Sequence, residues 1–276
     1  MYDAGFRSDA LERANGELSL AFEQRAGRTV LAELYQKGSL RARFPRRDGS
    51  GWTSAIVVNV SGGVAGGDRL STAISIGAGA EATVATLAAE RIYRARRPSE
   101  VAHVATEVTV ARGGACEWLP QETILFDRSS LERQLDIRLA EDARFLGVEM
   151  LVFGRSAMGE RLEQSWLSDT IRVRRGERLV LHDAIRLDAT ALSRRAVASG
   201  MQGVATLIYA APGAEGGLAR LRAALATSAA EWGASAWDGI VLARVLAAEG
   251  VSLRAAIVAG LQALRGPRLL PRVWLC

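Results

Sequence analysis

Period-two alternation of apolar and polar residues is the feature that most limits what this chain can fold into. It runs from residue 17 to about residue 210, and in a strand it places successive side chains on opposite faces. The segments with this pattern are ELSLAFEQR, SAIVVNV, LSTAISI, EATVAT, VAHVATEVTV, LERQLDIRLA, DTIRVRR and RLVLHDAIRL. Turn signals separate them, and no helical period lies between them. Many short strands without intervening helices predict an antiparallel β-rich body rather than βαβ units.

The last quarter of the chain changes to helical spacing. Residues 218–232 and 253–264 combine strong helix formers with apolar residues at helical spacing, and a Gly-Pro step follows the second segment. The run WDGIVLARVLA between them fits either a buried strand or a helix. The predicted class is therefore mainly β (α+β), with a two-helix C-terminal element. We expect a single domain over residues 1–276, β-rich at about 17–210 and helix-containing at about 215–276.

Composition narrows the possible function classes. The chain is 49% hydrophobic, but its apolar runs are far shorter than the ~20 residues of a membrane span. The start MYDAGFRSDA lacks the features of a secretory signal, and Cys116 and Cys276 are the only cysteines. We therefore expect a soluble, cytoplasmic protein. The net charge of +5 comes from arginines interspersed with acids, so neither nucleic acid nor a membrane is a predicted partner.

The stretch SGGVAGGDRL, residues 61–70, resembles a phosphate-binding loop only in its glycines. A phosphate loop needs a strand before it and a helix N-terminus after it. Here strand-like segments stand on both sides, and the lysine and hydroxyl residues of a Walker A motif are absent. We predict a tight strand-to-strand turn in which glycines supply positive φ and Asp68 accepts hydrogen bonds from backbone N–H groups.

Catalytic motifs are not apparent in the sequence. His103 and His182 lie in separate strand-like segments, and no tight His or Cys cluster indicates zinc. No Gly-x-Ser-x-Gly elbow is present to expose a serine. One enzymatic alternative stays open, a stand-alone β-fold hydrolase that uses Cys116 or His182. A lone cysteine within an apolar strand is nevertheless more typical of a buried residue.

Acidic residues in or beside apolar strands are the remaining candidates for a site. They are Asp68, Glu90, Glu117, Glu122, Glu149 and Glu160. Glu149 is the most informative, because FLGVEMLVFGR leaves little polar surface around it. A buried carboxylate must be paired, protonated or bound to a cation. Pairing with an arginine is the usual solution, and Arg155 or Arg91 are candidate partners.

Five motifs occur in a characteristic order along the chain: GGVAGGDRL, ATLAAERIYRA, EWLPQETILFDRSSL, FGRSAMGE and PRVWLC. In this order, from about residue 17 to the C-terminus, they resemble the urease accessory protein UreD (UreH) family. The resemblance implies a β-rich fold with a helical C-terminal part and a non-enzymatic scaffolding role. It also implies UreF-type and UreG-type accessory proteins and apo-urease as partners. Nickel would be delivered to urease, with no cofactor tightly bound to this chain.

The resemblance further implies that nickel passes through or along the protein. Ni²⁺ accepts imidazole and oxygen ligands, and a transfer path must release it again. We therefore predict transient nickel contacts at Asp68 and Glu149, with weaker candidates at Glu90, Glu117, Glu122 and His182. Two positions depart from the family pattern. Glu90 stands where many relatives have a small hydroxyl residue, and Ser61 stands where relatives often have proline.

Overall fold

Two β-sheets packed face to face form the body of the protein. The computed structural model describes residues 13–45, 52–155, 158–188, 191, 194, 197 and 200–275. Strands are numbered along the chain. The first sheet has seven strands, in spatial order β2 (Arg28–Lys37), β1 (Asn15–Arg25), β5 (Arg69–Ile76), β8 (Ala102–Val110), β11 (Ser130–Leu139), β13 (Trp166–Arg175) and β14 (Arg178–Asp188).

The second sheet packs on the other side of the core. In spatial order it contains β3 (Leu40–Arg43), β4 (Thr53–Asn59), β6 (Glu81–Thr86), β9 (Ala115–Leu119), β12 (Arg144–Phe153), β15 (Gly203–Ala210), β17 (Ile240–Ala247) and β16 (Glu231–Trp237). Two short strands extend it locally, β7 (Glu90–Ile92) and β10 (Thr123–Leu125), which pair with each other in parallel. β10 also pairs in parallel with β12.

The prediction of an antiparallel body was wrong at the centre of both sheets. In the first sheet β1, β5, β8, β11 and β13 are parallel neighbours, and only the outer pairs β1–β2 and β13–β14 are antiparallel. In the second sheet β4, β6, β9 and β12 are parallel, with antiparallel strands on either side. Parallel neighbours need a long crossover, usually a helix. Here the chain alternates between the sheets, so each crossover runs through one or more strands of the other sheet.

The main core lies between the two sheets. Alternate residues of the strands point into this layer, as the period-two pattern predicts. In β1, for example, Leu18, Leu20 and Phe22 are buried and belong to the core between the sheets. Neighbouring residues of the second sheet, such as Leu146 and Val148, point to the opposite face and belong to a second core beneath the helices.

Two helices cover the outer face of the second sheet. Helix α1 (Leu218–Leu225) and helix α2 (Gly250–Arg265) pack against each other, and α2 also contacts β15 and β17. Leu253, Ile257 and Leu261 recur every four residues along α2 and are buried. The helix ends before Gly266, whose φ of 69° is in the left-handed region. No helix in the described part of the chain is long and apolar enough to span a membrane.

The C-terminal part differs from its prediction in two places. The helix expected over residues 218–232 ends at Leu225, and Glu231–Trp237 is a strand instead. The ambiguous run around residue 240 is also a strand, Ile240–Ala247. Strands therefore extend beyond residue 210 to Ala247, and a helix over the predicted 253–264 segment is confirmed.

Candidate functional site

The glycine loop, residues 61–68, connects strand β4 to strand β5, as the sequence predicts. Asp68 is 5% exposed, and its carboxylate stabilises the loop by accepting two backbone hydrogen bonds. Its Oδ1 accepts a hydrogen bond from the Ala14 N–H at 2.8 Å, and its Oδ2 accepts one from the Ala65 N–H at 2.7 Å. Gly63 has a φ of 151°, and a Cβ there would lie 2.3 Å from the Tyr93 ring. The loop is thus a backbone-stabilised turn between strands.

Glu149 belongs to an ionic cluster enclosed between the two sheets. Its Oε2 lies 2.7 Å from Arg133 Nη1, and its Oε1 accepts a hydrogen bond of 2.8 Å from Trp118 Nε1. The same guanidinium binds Asp169 through two nitrogens, at 2.9 and 2.7 Å, and donates to Thr123 Oγ1 at 3.0 Å. Every side chain in this cluster is buried.

The predicted partner of Glu149 was wrong. Arg155 instead pairs with Glu160 at 2.8 Å, and Arg91 is exposed. A sequence signal for Arg133 existed, because the alternation LERQLDIRL places Arg133 on the inward face with Leu131 and Leu135. Arg133 also lies opposite Asp169 in the parallel register of β11 and β13.

The charges of this cluster do not balance. One guanidinium faces two carboxylates, so the cluster carries a net negative charge when both acids are ionised. Burial raises the pKa of Glu149; the charge of Arg133 opposes this effect, and the nearby charge of Asp169 adds to it. Although burial opposes it, the charges of Asp169 and Glu149 raise the pKa of Arg133. Arg133 is therefore the fixed cation of the cluster, and burial favours the protonated form of Glu149.

Glu117 forms a second buried cluster, on the helix side of the same sheet. It accepts hydrogen bonds from Arg265 Nε and Nη2, both at 2.9 Å, from Arg268, and from Thr83 at 2.7 Å. Burial alone would raise the pKa of Glu117, but the hydrogen bonds and charges of these partners hold it below its ordinary value. Because Glu117 and Glu149 point to opposite faces of the second sheet, one site cannot contain both.

Glu90 is the first residue of β7, and Glu122 immediately precedes β10, whose first residue Thr123 pairs with Glu90. The Glu90 N–H donates to the Glu122 carbonyl oxygen at 2.9 Å. Both carboxylate oxygens of Glu90 lie 3.2 Å from Asn59 Nδ2, and burial raises the pKa of Glu90 to about 7. Glu122 lies 3.5 Å from Arg254.

His182 is remote from the other candidate ligands. It is exposed on β14, at the edge of the first sheet. The structure thus joins the backbones of Glu90 and Glu122, while their carboxylates face different partners, Asn59 and Arg254. Neither carboxylate belongs to the buried clusters of Glu117 and Glu149. Within the described residues, no group of three or more His, Cys, Asp or Glu side chains could hold a metal ion.

The hydrolase alternative gains no support from the geometry. Cys116 is 1% exposed and points into the core between the sheets. Burial raises the pKa of its thiol, which opposes formation of a nucleophilic thiolate. His182 is exposed on the edge strand β14, outside the core that encloses Cys116, so it is not placed as a neighbouring base.

Comparison with known proteins places the chain in the class of urease accessory proteins. A relative from Rhizobium leguminosarum bv. viciae, named urease accessory protein UreD, is 42% identical over 267 residues, which cover 95% of this chain and 96% of the relative. Another of the same name, from Rhodopseudomonas palustris, is 43% identical over 269 residues, covering 96% and 95%. Residues 14–275 match the family described as UreD urease accessory protein. The chain therefore belongs to the UreD family, as its motifs predict.

Proposed function

We propose that the protein is a non-catalytic scaffold in urease maturation. In this role it links apo-urease to UreF-type and UreG-type accessory proteins and assists the delivery of nickel to the urease active site. The observation that carries the proposal is the match to UreD proteins over residues 14–275. The glycine loop supports it, because a loop between two strands offers no helix N-terminus for a nucleotide phosphate. Nucleotide hydrolysis would then be left to a partner.

Nickel, as the transported substrate, would contact this chain only transiently. Among the six candidates, Glu90 and Glu149 have the chemistry that suits such contacts best. Asn59 is the one side chain that donates a hydrogen bond to the Glu90 carboxylate in the described structure, so lone pairs stay free. Both oxygens of Glu149 are also bonded, to Arg133 and Trp118, but Glu149 shares this cation with Asp169, so its charge is only partly balanced. A nickel ion at Glu149 would have to displace one of these partners.

The other four candidates are less suited to contact nickel, because they already bind other groups or lie apart from the remaining candidates. Both oxygens of Asp68 accept backbone N–H groups, and Glu117 is held by two arginines. Glu122 lies near Arg254, and His182 is isolated on an outer strand. A metal ion at Asp68 or Glu117 would have to compete with these existing bonds.

A deletion strain tests the scaffold role. We expect urease to be synthesised at a normal level but to contain little nickel, as measured by immunoblot and metal analysis of the purified enzyme. Normal nickel content in urease from the deletion strain contradicts the proposal.

The Glu90→Gln and Glu149→Gln variants then test the nickel contacts, with the exposed Glu23→Gln as the matched control.

Full urease activation by both path variants would show that these carboxylates are not nickel contacts. Co-purification of the variants with the accessory partners separates a transport defect from an assembly defect. A variant that fails to activate urease and also fails to co-purify has lost assembly rather than transport.

A further inference from the structure

The segment that begins in β7 and lies beside the glycine loop contains a concentration of arginines that the buried clusters do not use. Residues 91–97, with the sequence RIYRARR, hold four arginines in seven positions. All four side chains are exposed: Arg91, Arg94, Arg96 and Arg97. Within the described part of the chain, no ion pair joins Arg94, Arg96 or Arg97 to an acid, whereas the charge of Arg91 acts on the adjacent Glu90. By contrast, Arg13, Arg155 and Arg254 each have an acidic partner.

Backbone hydrogen bonds hold this segment against the glycine loop and a further arginine. The Val64 N–H donates to the Arg91 carbonyl at 2.8 Å, and the Tyr93 N–H donates to the Val64 carbonyl at 2.8 Å. The Ala95 N–H donates to the carbonyl of Arg128 at 2.9 Å. Arg128 is exposed as well, and Asp127 is 3.8 Å from its Nε. We name this surface the arginine strip: Arg91, Arg94, Arg96, Arg97 and Arg128.

Acids near the strip are already engaged. Asp68 accepts two backbone N–H groups, and Glu100 pairs with Arg13 at 2.7 Å. Asp127 Oδ1 accepts the N–H groups of residues 163 and 164 at 2.7 and 3.0 Å. Glu160 is bound to Arg155. Asp68 and Asp127 keep their negative charge while they accept neutral N–H groups, and Asp127 faces Arg128. The uncompensated positive charge therefore lies mainly at Arg94, Arg96 and Arg97, where an external anionic surface can bind.

The aromatic side chains beside the strip favour a protein over a nucleic acid as the partner. Single-stranded nucleic acids bind to aromatic rings whose faces are free for stacking. The Tyr93 ring packs edge-on against Phe126, with centroids 5.2 Å apart, and its hydroxyl donates to the Gly62 carbonyl. Arg155 lies 4.3 Å from the Phe126 centroid and covers that ring. Neither ring is arranged as a stacking platform.

We infer that the arginine strip docks an acidic surface of a partner protein in the urease maturation complex. The inference rests on the proposed function, which supplies the candidate partners. Charge complementarity of this kind raises association rates and suppresses wrong orientations. The attraction is screened by salt, because exposed charges interact weakly beyond the Debye length. The strip would therefore act mainly on how fast the partner binds.

Charge reversal tests the strip directly. The test variant is Arg94→Glu/Arg96→Glu/Arg97→Glu. A matched control reverses three arginines on the outer face of the first sheet, Arg138→Glu/Arg174→Glu/Arg186→Glu. Association rate constants are measured by surface plasmon resonance against apo-urease, the UreF-type protein and the UreG-type protein of the same organism. We expect the strip variant to bind one partner at least about tenfold more slowly at low salt, with a smaller difference at high salt.

The outcomes separate this inference from the proposed function. If the strip variant and the wild type associate equally fast with every partner that binds the wild type, the inference is wrong and the proposed function stands. If the wild type binds none of the three partners, the proposed function fails first. Tighter binding of a single-stranded oligonucleotide than of any partner, lost in the strip variant, would also overturn the inference. Unchanged thermal unfolding of both variants excludes a folding defect.

Discussion

Replacing Arg133 with methionine should destabilise the protein strongly. The change removes the one guanidinium shared by Glu149 and Asp169, and it keeps an apolar side chain of similar length between the sheets. Two carboxylates that are 8% and 5% exposed would lose their cation. Removing one partner of a buried ion pair costs about 3 to 5 kcal/mol, because the remaining charge is left uncompensated. For a chain of this length that corresponds to a fall in Tm of about 10 °C.

The pH dependence of this loss distinguishes charge from packing. Without Arg133 the pKa of Glu149, already raised by burial, should rise further, so the stability deficit of the variant relative to wild type should shrink as the pH falls and Glu149 becomes protonated. Urea unfolding followed by circular dichroism at several pH values measures this stability deficit. The control is Glu149→Gln, which keeps a hydrogen-bond acceptor for Trp118 and relieves the net negative charge. We expect Glu149→Gln to cost much less than Arg133→Met. A loss below about 1 kcal/mol for Arg133→Met would refute the reasoning.

Three further changes have defined outcomes. Glu117→Gln should lower the free energy of unfolding by about 3 to 5 kcal/mol, because Arg265 would stay buried without its anion. The folded pKa of Glu117 is lowered, so its contribution to wild-type stability should be present above the unfolded pKa and lost as the pH falls through the lowered value. Unfolding measured over an acid titration would show this loss. For Glu90, whose folded pKa of about 7 is raised, wild-type stability should increase as pH falls through that value, and Glu90→Gln should flatten the profile between roughly pH 8 and pH 5; an unchanged profile contradicts this. Asp68→Ala should cost about 1 to 3 kcal/mol, because two backbone N–H groups lose their acceptor; hydrogen exchange at Ala14 and Ala65 should quicken, and unchanged exchange argues against the turn role.

Strand positions could be predicted from the sequence because period-two alternation reports directly on which side chains are buried. The same alternation puts Arg133 on an inward face, but Arg133 was not among the partners predicted for Glu149. Arg133 and Glu149 lie on different sheets, and alternation within one strand contains no information about which strand stacks opposite. Strand direction could not be predicted either, because a strand that crosses to the other sheet shows the same period-two alternation as a strand of a hairpin.

The C-terminal part shows where local propensity is overruled. The alanine-rich residues 226–232 favour a helix intrinsically, yet Glu231–Trp237 pairs along β17 and completes the edge of the second sheet. Backbone pairing with an otherwise uncovered strand outweighs the small preference of alanine for helix. In the glycine loop local chemistry was sufficient, because glycine geometry and an acid that accepts backbone N–H groups act over a few residues.

The alternation of the chain between two sheets also affects how the protein folds. Parallel neighbours such as β5, β8, β11 and β13 are separated by about 30 residues, and pairings at such sequence distances form slowly because chain closure must precede them. Each new strand of one sheet can dock only after a strand of the other sheet has crossed the molecule. We therefore expect a parallel sheet edge to stay unpaired during folding until the antiparallel C-terminal strands and the helices have docked. Unpaired sheet edges associate readily with other chains. We therefore expect partly folded chains to aggregate unless they are dilute or their edges are covered by another protein.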